Sequence, residues 1–158
     1  MMPKYLTKSK AETQLLGLKL AAMLLPGDVV LLTGPLGAGK SEFARGIAKG
    51  LGVEGPVSSP TFTLLNIHRG RLTTLNHFDW YRIDDAEELF SAGLDEFIPG
   101  EGIALIEWHE RAPALIPQDC LEVLIEPVDE EIRRITLLPR GAFRSAGLDG
   151  ISGLEVTK

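Results

Sequence analysis

Cysteine is almost absent from this chain: among 158 residues only Cys120 carries a thiol. No intrachain disulfide and no multi-thiolate zinc site can form, and a reducing compartment is the simplest setting for such a protein. Long hydrophobic runs are missing too. The best, Leu15 to Leu25, contains Lys19 and stops at Pro26, short of the roughly 20 apolar residues that a membrane-spanning helix needs. The opening stretch MMPKYLTKSKAET is polar and lacks the apolar core of a signal peptide. A soluble, cytoplasmic protein without membrane association is therefore expected. Positive charge is in deficit, with 16 Lys and Arg against 22 Asp and Glu and a net charge of −6. An acidic chain has no basic face with which to grip nucleic acid unaided. Internal repeats and low-complexity segments are absent as well.

What is present suits one globular domain. Hydrophobic residues make up 44% and charged residues 24%, which excludes a disordered tail, a collagen-like fibre and a disulfide scaffold. The length allows one sizeable core and is too short for two ordinary ones.

Residues 4–7 read as a short first strand. Ser9 with Glu12 fits a capping box, in which each side chain satisfies an orphan N–H of the first turn. Apolar residues at Leu15, Leu16, Leu18, Leu20, Ala21, Leu24 and Leu25 predict a helix buried on one face, ended by Pro26-Gly27-Asp28. Val29 to Leu32 is apolar throughout, the mark of a central strand in a parallel sheet. After the glycine-rich turn Gly34 to Gly39, a helix is predicted from Lys40 to Leu51, with Gly52 as its stop. Thr61 to Ile67 and Leu72 to Phe78 read as a hairpin around Arg69-Gly70-Arg71. Asp84 or Asp85 caps a short helix to about Ala92, and Ile103 to Ile106 is another short apolar strand. Leu121, Val123 and Ile125 alternate with wetter positions, and Ile132 to Leu138 reads as the paired strand. Residues 141–158 are glycine-rich with little pattern and are expected to form a loose tail beyond a single domain of residues 1–140. The order of elements predicts an α/β domain with a mixed sheet.

The sharpest motif is Gly34-Pro35-Leu36-Gly37-Ala38-Gly39-Lys40-Ser41, a complete G-x-x-x-x-G-K-[ST] between an apolar strand and a helix. Gly34, Gly37, Ala38 and Gly39 let backbone N–H groups encircle phosphate oxygens, and the helix start at Lys40 aims its partial positive charge at the same place. The Lys40 ammonium suits the β- and γ-phosphates, and the Ser41 hydroxyl suits Mg²⁺. Glu42 offers its backbone N–H, but its carboxylate must point away. The motif specifies a nucleoside triphosphate without saying which base.

An acid at the end of a neighbouring apolar strand usually completes such a metal site. Glu107 occupies that position in Ile103-Ala104-Leu105-Ile106-Glu107-Trp108; the competing reading is a solvated acid at a strand end. Asp79 is the other candidate, placed to position a water or a metal-bound water. Asp28 reads as a turn residue. Thr61, in Ser58-Ser59-Pro60-Thr61, either senses the γ-phosphate as a switch residue or simply opens a strand. His77 and Trp80 read as packing residues before catalysts. Trp108 either lines the nucleotide site or fills core, and His68 and His109 show no metal-ligand spacing. Between Asp79 and Glu110 stand ten acids and one base, Arg82, which suits a solvated face, a metal site or a docking surface for a basic partner.

Taken together, GPLGAGKSEFARGIAKGLG, SSPTFTLLN, HFDWYRIDDAEEL, Gly93 and ALIEW resemble the TsaE (YjeE) family in order and spacing, from about Thr7 to Ile135. The resemblance implies a P-loop NTPase-like three-layer sandwich with a mixed, largely parallel central sheet, and the ATPase subunit of the bacterial machinery that makes threonylcarbamoyladenosine in tRNA. Its partners would be TsaD and TsaB, with TsaC supplying the activated intermediate and tRNA met only through the complex. ATP and Mg²⁺ are the implied cofactors: Lys40 and its loop hold ATP, Ser41 and Glu107 hold Mg²⁺, and Thr61 and Asp79 have functional roles. Adenine is implied near Lys8 to Thr13 and Val128 to Glu131. Two departures stand out from the family loop, G-D-L-G-A-G-K-T-T. Pro35 removes an N–H, and Glu42 removes a hydroxyl within reach of the α-phosphate. Two rival readings stand beside this one. A small-molecule P-loop kinase needs a lid carrying arginines, and residues 79–110 hold only Arg82. A non-hydrolysing nucleotide switch would act only by binding a partner.

Overall fold

In the computed structural model, which describes residues 2–157, the apolar segments become eight strands of a single sheet. In chain order, β1 (Lys4–Thr7) leads into α1 (Lys10–Ala21), and β2 (Val29–Thr33) into α2 (Lys40–Gly50). A hairpin of β3 (Leu65–Arg69) and β4 (Thr74–Asp79) precedes α3 (Ala86–Ser91). β5 (Ile103–Glu107), β6 (Cys120–Pro127), β7 (Arg133–Arg140) and β8 (Glu155–Thr157) follow. The spatial order is β3-β4-β5-β2-β6-β7-β1-β8. The four central strands β4, β5, β2 and β6 run parallel, and antiparallel pairs flank them on both sides.

Burial on both faces explains the apolar run in β2. Val30 and Leu32 face the core under α1 and α2, while Val29 and Leu31 face the opposite core with Phe78, Trp80 and Leu89. The three layers and the mixed sheet are those expected from the sequence. Helices α1 and α2 pack closely because glycines line their crossing. A Cβ on Gly46 would stand 2.1 Å from the Gln14 carbonyl oxygen, and one on Gly17 would stand 2.5 Å from that of Phe43.

The cap of α1 is a variant of the expected box. The Glu12 N–H donates to Ser9 Oγ at 3.1 Å, but the Glu12 carboxylate accepts from Lys8 N, one residue before the cap. The β3–β4 hairpin is displaced along the chain from its predicted bounds. Thr61 to Leu64 turn instead of extending: Leu64 N donates to the Pro60 carbonyl at 2.8 Å, and Leu64 has φ +67°. A left-handed leucine cannot continue a strand, so β3 begins only at Leu65.

The segment after residue 140, expected to be loose, is instead built into the fold. β8 pairs antiparallel with β1, Tyr5 opposite Val156. Leu148 and Ile151 are buried in the core under α1. The Tyr5 hydroxyl donates to the Leu148 carbonyl and accepts from Ile151 N–H. Arg144 donates to both carboxylate oxygens of Asp28, which also accepts from Leu25 N–H and so keeps its expected turn role. Apart from the local Leu25–Asp28 bond, these contacts join positions more than a hundred residues apart, so no local pattern could disclose them. Among the described residues no helix is long and apolar enough to cross a membrane.

Tyr5→Phe removes one buried hydroxyl that serves two backbone groups. Its expected cost is about 1–3 kcal/mol of unfolding free energy, read as a lower urea midpoint at unchanged slope.

Candidate functional site

Parallel strands end together, and their connections leave a crevice beyond their carboxyl ends. β2 delivers its loop there, and β4 and β5, in parallel register, bring Asp79 opposite Glu107. A cavity of about 450 Å³ lies at this edge, lined by Lys40, Ser41, Thr61, Asp79, Glu107 and Trp108, among others.

The loop from Gly34 turns into α2 through Gly39, whose φ of +109° is open to glycine and strained for any other residue. The free N–H groups of the first turn of α2 lie at the cavity. Gly37, Gly39, Lys40, Ser41 and Glu42 line it, whereas Gly34 and Ala38 stand behind it as supports. The Gly34 carbonyl accepts from Lys40 Nζ at 2.8 Å, and the Ala38 carbonyl accepts from Arg133 Nε at 2.7 Å. Both departures in the loop have structural consequences. Pro35 offers its carbonyl to Ala38 N–H at 3.1 Å, closing the turn without an N–H of its own. The Glu42 carboxylate is engaged by Gln14 Nε2 and Arg45.

Lys40 is only 6% exposed. Burial pushes its ammonium below the usual lysine range, and the carboxylates of Glu107, Asp79 and Glu110 partly restore it. The ammonium also lies 4.1 Å from the centroid of the Trp108 ring. Trp108 reaches that position through a left-handed backbone with φ +59°, a strained conformation for a bulky residue. Tyr81 backs the same ring, with centroids 4.9 Å apart.

Asp79 is held from two sides. Its carboxylate accepts from Thr61 Oγ1 at 3.1 Å and from Tyr81 N–H at 2.9 Å. The segment containing Thr61 is therefore tied to the acid that ends β4. Glu107 is 4% exposed, and its carboxylate accepts from His77 Nε2 at 2.7 Å. His77, read from sequence as packing, thus has a polar partner in the site. Trp80 is packing as expected, fully buried with its ring edge-on to Phe78. Of the ten acids between Asp79 and Glu110, these two are buried at the cavity, while Asp84, Asp85, Glu87, Glu88, Glu96, Glu101 and Glu110 are exposed.

Arg133 is the residue that the sequence reading missed. It stands at the start of β7, lines the cavity, and binds the carbonyls of Ala38 and Gly37 on one side and of Asp129, Glu130 and Ile132 on the other. No motif surrounds it in the sequence; the only signal was its place beside residues 128–131. Ser9, Lys10 and Thr13 meet Glu130 and Glu131 across the same cavity, so both segments singled out for adenine face one space. Elsewhere, His109 shares Thr33 Oγ1 with Glu122. Among the described residues no group of three or more His, Cys, Asp or Glu side chains could hold a metal ion by itself.

Residues 7–135 match the family described as "Threonylcarbamoyl adenosine biosynthesis protein TsaE". The chain belongs to the TsaE family. Relatives bearing the name tRNA threonylcarbamoyladenosine biosynthesis protein TsaE include that of Bacillus subtilis, 38% identical over 138 residues, covering 87% of this chain and 86% of its own. That of Treponema pallidum is 38% identical over 131 residues, covering 83% and 96%. That of Mycobacterium tuberculosis is 40% identical over 133 residues, covering 78% and 79%. The fold is similar to the crystal structure of Bacillus subtilis YdiB, with TM-score 0.77 and 34% identity over 89% of this chain and 87% of that one. This likeness extends over most of the chain and agrees with a P-loop fold.

Arg133→Ala should loosen the loop without unfolding the protein. Losing charge-assisted hydrogen bonds of about 1.5–3 kcal/mol should speed amide exchange at residues 37–40 by about tenfold or more, while exchange in β2 and β5 stays unchanged.

Proposed function

We propose that this chain is the ATP-binding, Mg²⁺-dependent ATP-hydrolysing subunit for threonylcarbamoyladenosine modification of tRNA, acting with TsaB and TsaD. The observation that carries the reading is the convergence of Lys40, Ser41, Asp79 and Glu107 on one cavity at the start of α2. That convergence lies within a chain of the TsaE family.

An anion fits at the helix start, where N–H groups, the helix dipole and the Lys40 ammonium act together. Binding a polyphosphate there would raise the charge that stabilises the buried ammonium, offsetting the desolvation that now opposes it. The donor set also fits Mg²⁺. Ser41 and Glu107 supply hard oxygen atoms, too few for a cage made by protein alone, and Mg²⁺ is usually completed by water and phosphate oxygens. When bound, the ion neutralises charge on the phosphates and orients them. Asp79, fixed by Thr61 and Tyr81, is positioned to hold the attacking water by accepting its proton in a hydrogen bond. Thr61 links that acid to the mobile type of segment that senses a γ-phosphate in P-loop switches. Arg133 turns its guanidinium to loop carbonyls, so further positive charge at the γ-phosphate is best supplied by a partner.

A partner surface is supported by the rim of the cavity. Leu36 is 71% exposed and Phe62 is 80% exposed, with the Arg82 guanidinium 4.3 Å from the Phe62 ring. The exposed acids of α3 and the following turn lie close in sequence, and a basic partner would find complementary charge there.

Lys40→Ala should keep its circular dichroism spectrum and lose about a hundredfold or more in kcat/KM for ATP, of the order seen when a key electrostatic group is removed. Turnover should be slow for the chain alone, rise when TsaB and TsaD are added, and lose part of that rise in high salt. Equal turnover with and without the partners, together with phosphate transfer to a small acceptor, would favour a kinase instead.

A further inference from the structure

His77 is a polar residue in a place where a hydrophobic one would cost less. Its side chain is 2% exposed, and it stands on β4 opposite Leu105, two residues before Glu107 on the paired strand. The ring lies on the sheet face that packs under α2, the face shared by Leu75 and Leu105. Nδ1 is buried with no hydrogen-bond partner, a cost that a phenylalanine of similar volume would avoid. The single polar contact of the ring is Nε2 to the Glu107 carboxylate at 2.7 Å. A carboxylate can only accept, so Nε2 carries the proton and donates it.

The consequence lies in what Glu107 is then unable to do. Its Oε2 is held by His77 Nε2, leaving Oε1 as the oxygen free of that bond. Lys40 and Glu107 line the same cavity. A buried ring with no other polar contact fixes one carboxylate oxygen and so the orientation of the other.

We propose that His77 is a positioning residue for Glu107. It holds Oε2 through Nε2–H so that the other oxygen is presented to a divalent cation. The inference rests on the reading of Glu107 as a Mg²⁺ ligand given under Proposed function.

The test compares His77→Phe, which fills the space without a donor, with His77→Gln, whose amide nitrogen takes the place of Nε2. His77→Asn keeps an amide but sets its donor short of the carboxylate. A fluorescent ATP analogue is titrated at stepped Mg²⁺ concentrations and again with chelator present; kcat and KM for ATP are measured with TsaB and TsaD. His77→Phe and His77→Asn should need about ten- to hundredfold more Mg²⁺ for half-maximal binding, the usual loss when the group orienting a metal ligand is removed. Their metal-free affinity for the analogue should be unchanged, and kcat at limiting Mg²⁺ should fall more than KM rises. His77→Gln should restore the wild-type Mg²⁺ requirement to within about threefold, a rescue that a packing role would not give. Wild-type Mg²⁺ dependence in His77→Phe, or equal defects in Gln and Asn variants, would overturn the proposal. Should the Phe variant not fold, the Gln and Asn pair decides in the same way. Glu107→Ala is measured alongside. If its Mg²⁺ dependence is unchanged, the ligand reading of Glu107 is what has failed. If it is altered while His77→Phe is not, only the positioning role fails.

Discussion

Lys40 puts a positive charge where charge is costly, and much of the site is arranged around that cost. The residue is largely buried at the edge of the cavity, and burial disfavours the charged form. The surroundings answer with the Gly34 carbonyl, the face of Trp108 and the carboxylates of Glu107 and Asp79. Each partner needs its own support. Trp108 is held in a strained left-handed backbone, Asp79 by Thr61 and Tyr81, and Glu107 by His77. A strained, buried and charged constellation of this kind persists only where the rest of the fold over-determines it.

The parallel centre of the sheet supplies that rigidity. β2 is paired on both sides and buried on both faces, so the loop that leaves it starts from a fixed point. Parallel register between β4 and β5 sets two carboxylates side by side without any help from loops. On one face of the sheet, α2 is pressed against α1 through glycines that allow backbone contact. α1 is in turn covered by the C-terminal segment, which returns to Tyr5 and adds a strand at the edge. The start of α2 is thereby fixed to the sheet by a chain of packed elements.

The loop departs from its family pattern at two positions, and the structure accommodates both. Pro35 closes a turn through its carbonyl, and Glu42 turns its charge to Gln14 and Arg45. Arg133 then braces the loop from the opposite side by gathering carbonyls from two segments under one planar guanidinium. Five fixed donors make arginine better suited to that task than a single ammonium.

The sequence by itself determined what depends on neighbours along the chain. The phosphate-loop spacing, the Ser9 cap of α1, the doubly buried β2 and the acid at the end of β5 are local patterns, and each stands where its pattern put it. The approximate bounds of α2, β5 and the β6–β7 pair were legible for the same reason, since periodicity and strand propensity act over a few residues. Only the tertiary structure decided the rest. It pairs His77 with Glu107 across 30 positions, brings Arg133 to Ala38 across 95, and returns Leu148 to Tyr5 across 143. It also turns the chain at Leu64, where Asp79 holds the preceding Thr61 and the strand starts late. Contacts between distant positions are set by how strands stack and which faces they share. A glycine-rich tail, a lone histidine and an arginine outside any motif gave no local sign of them.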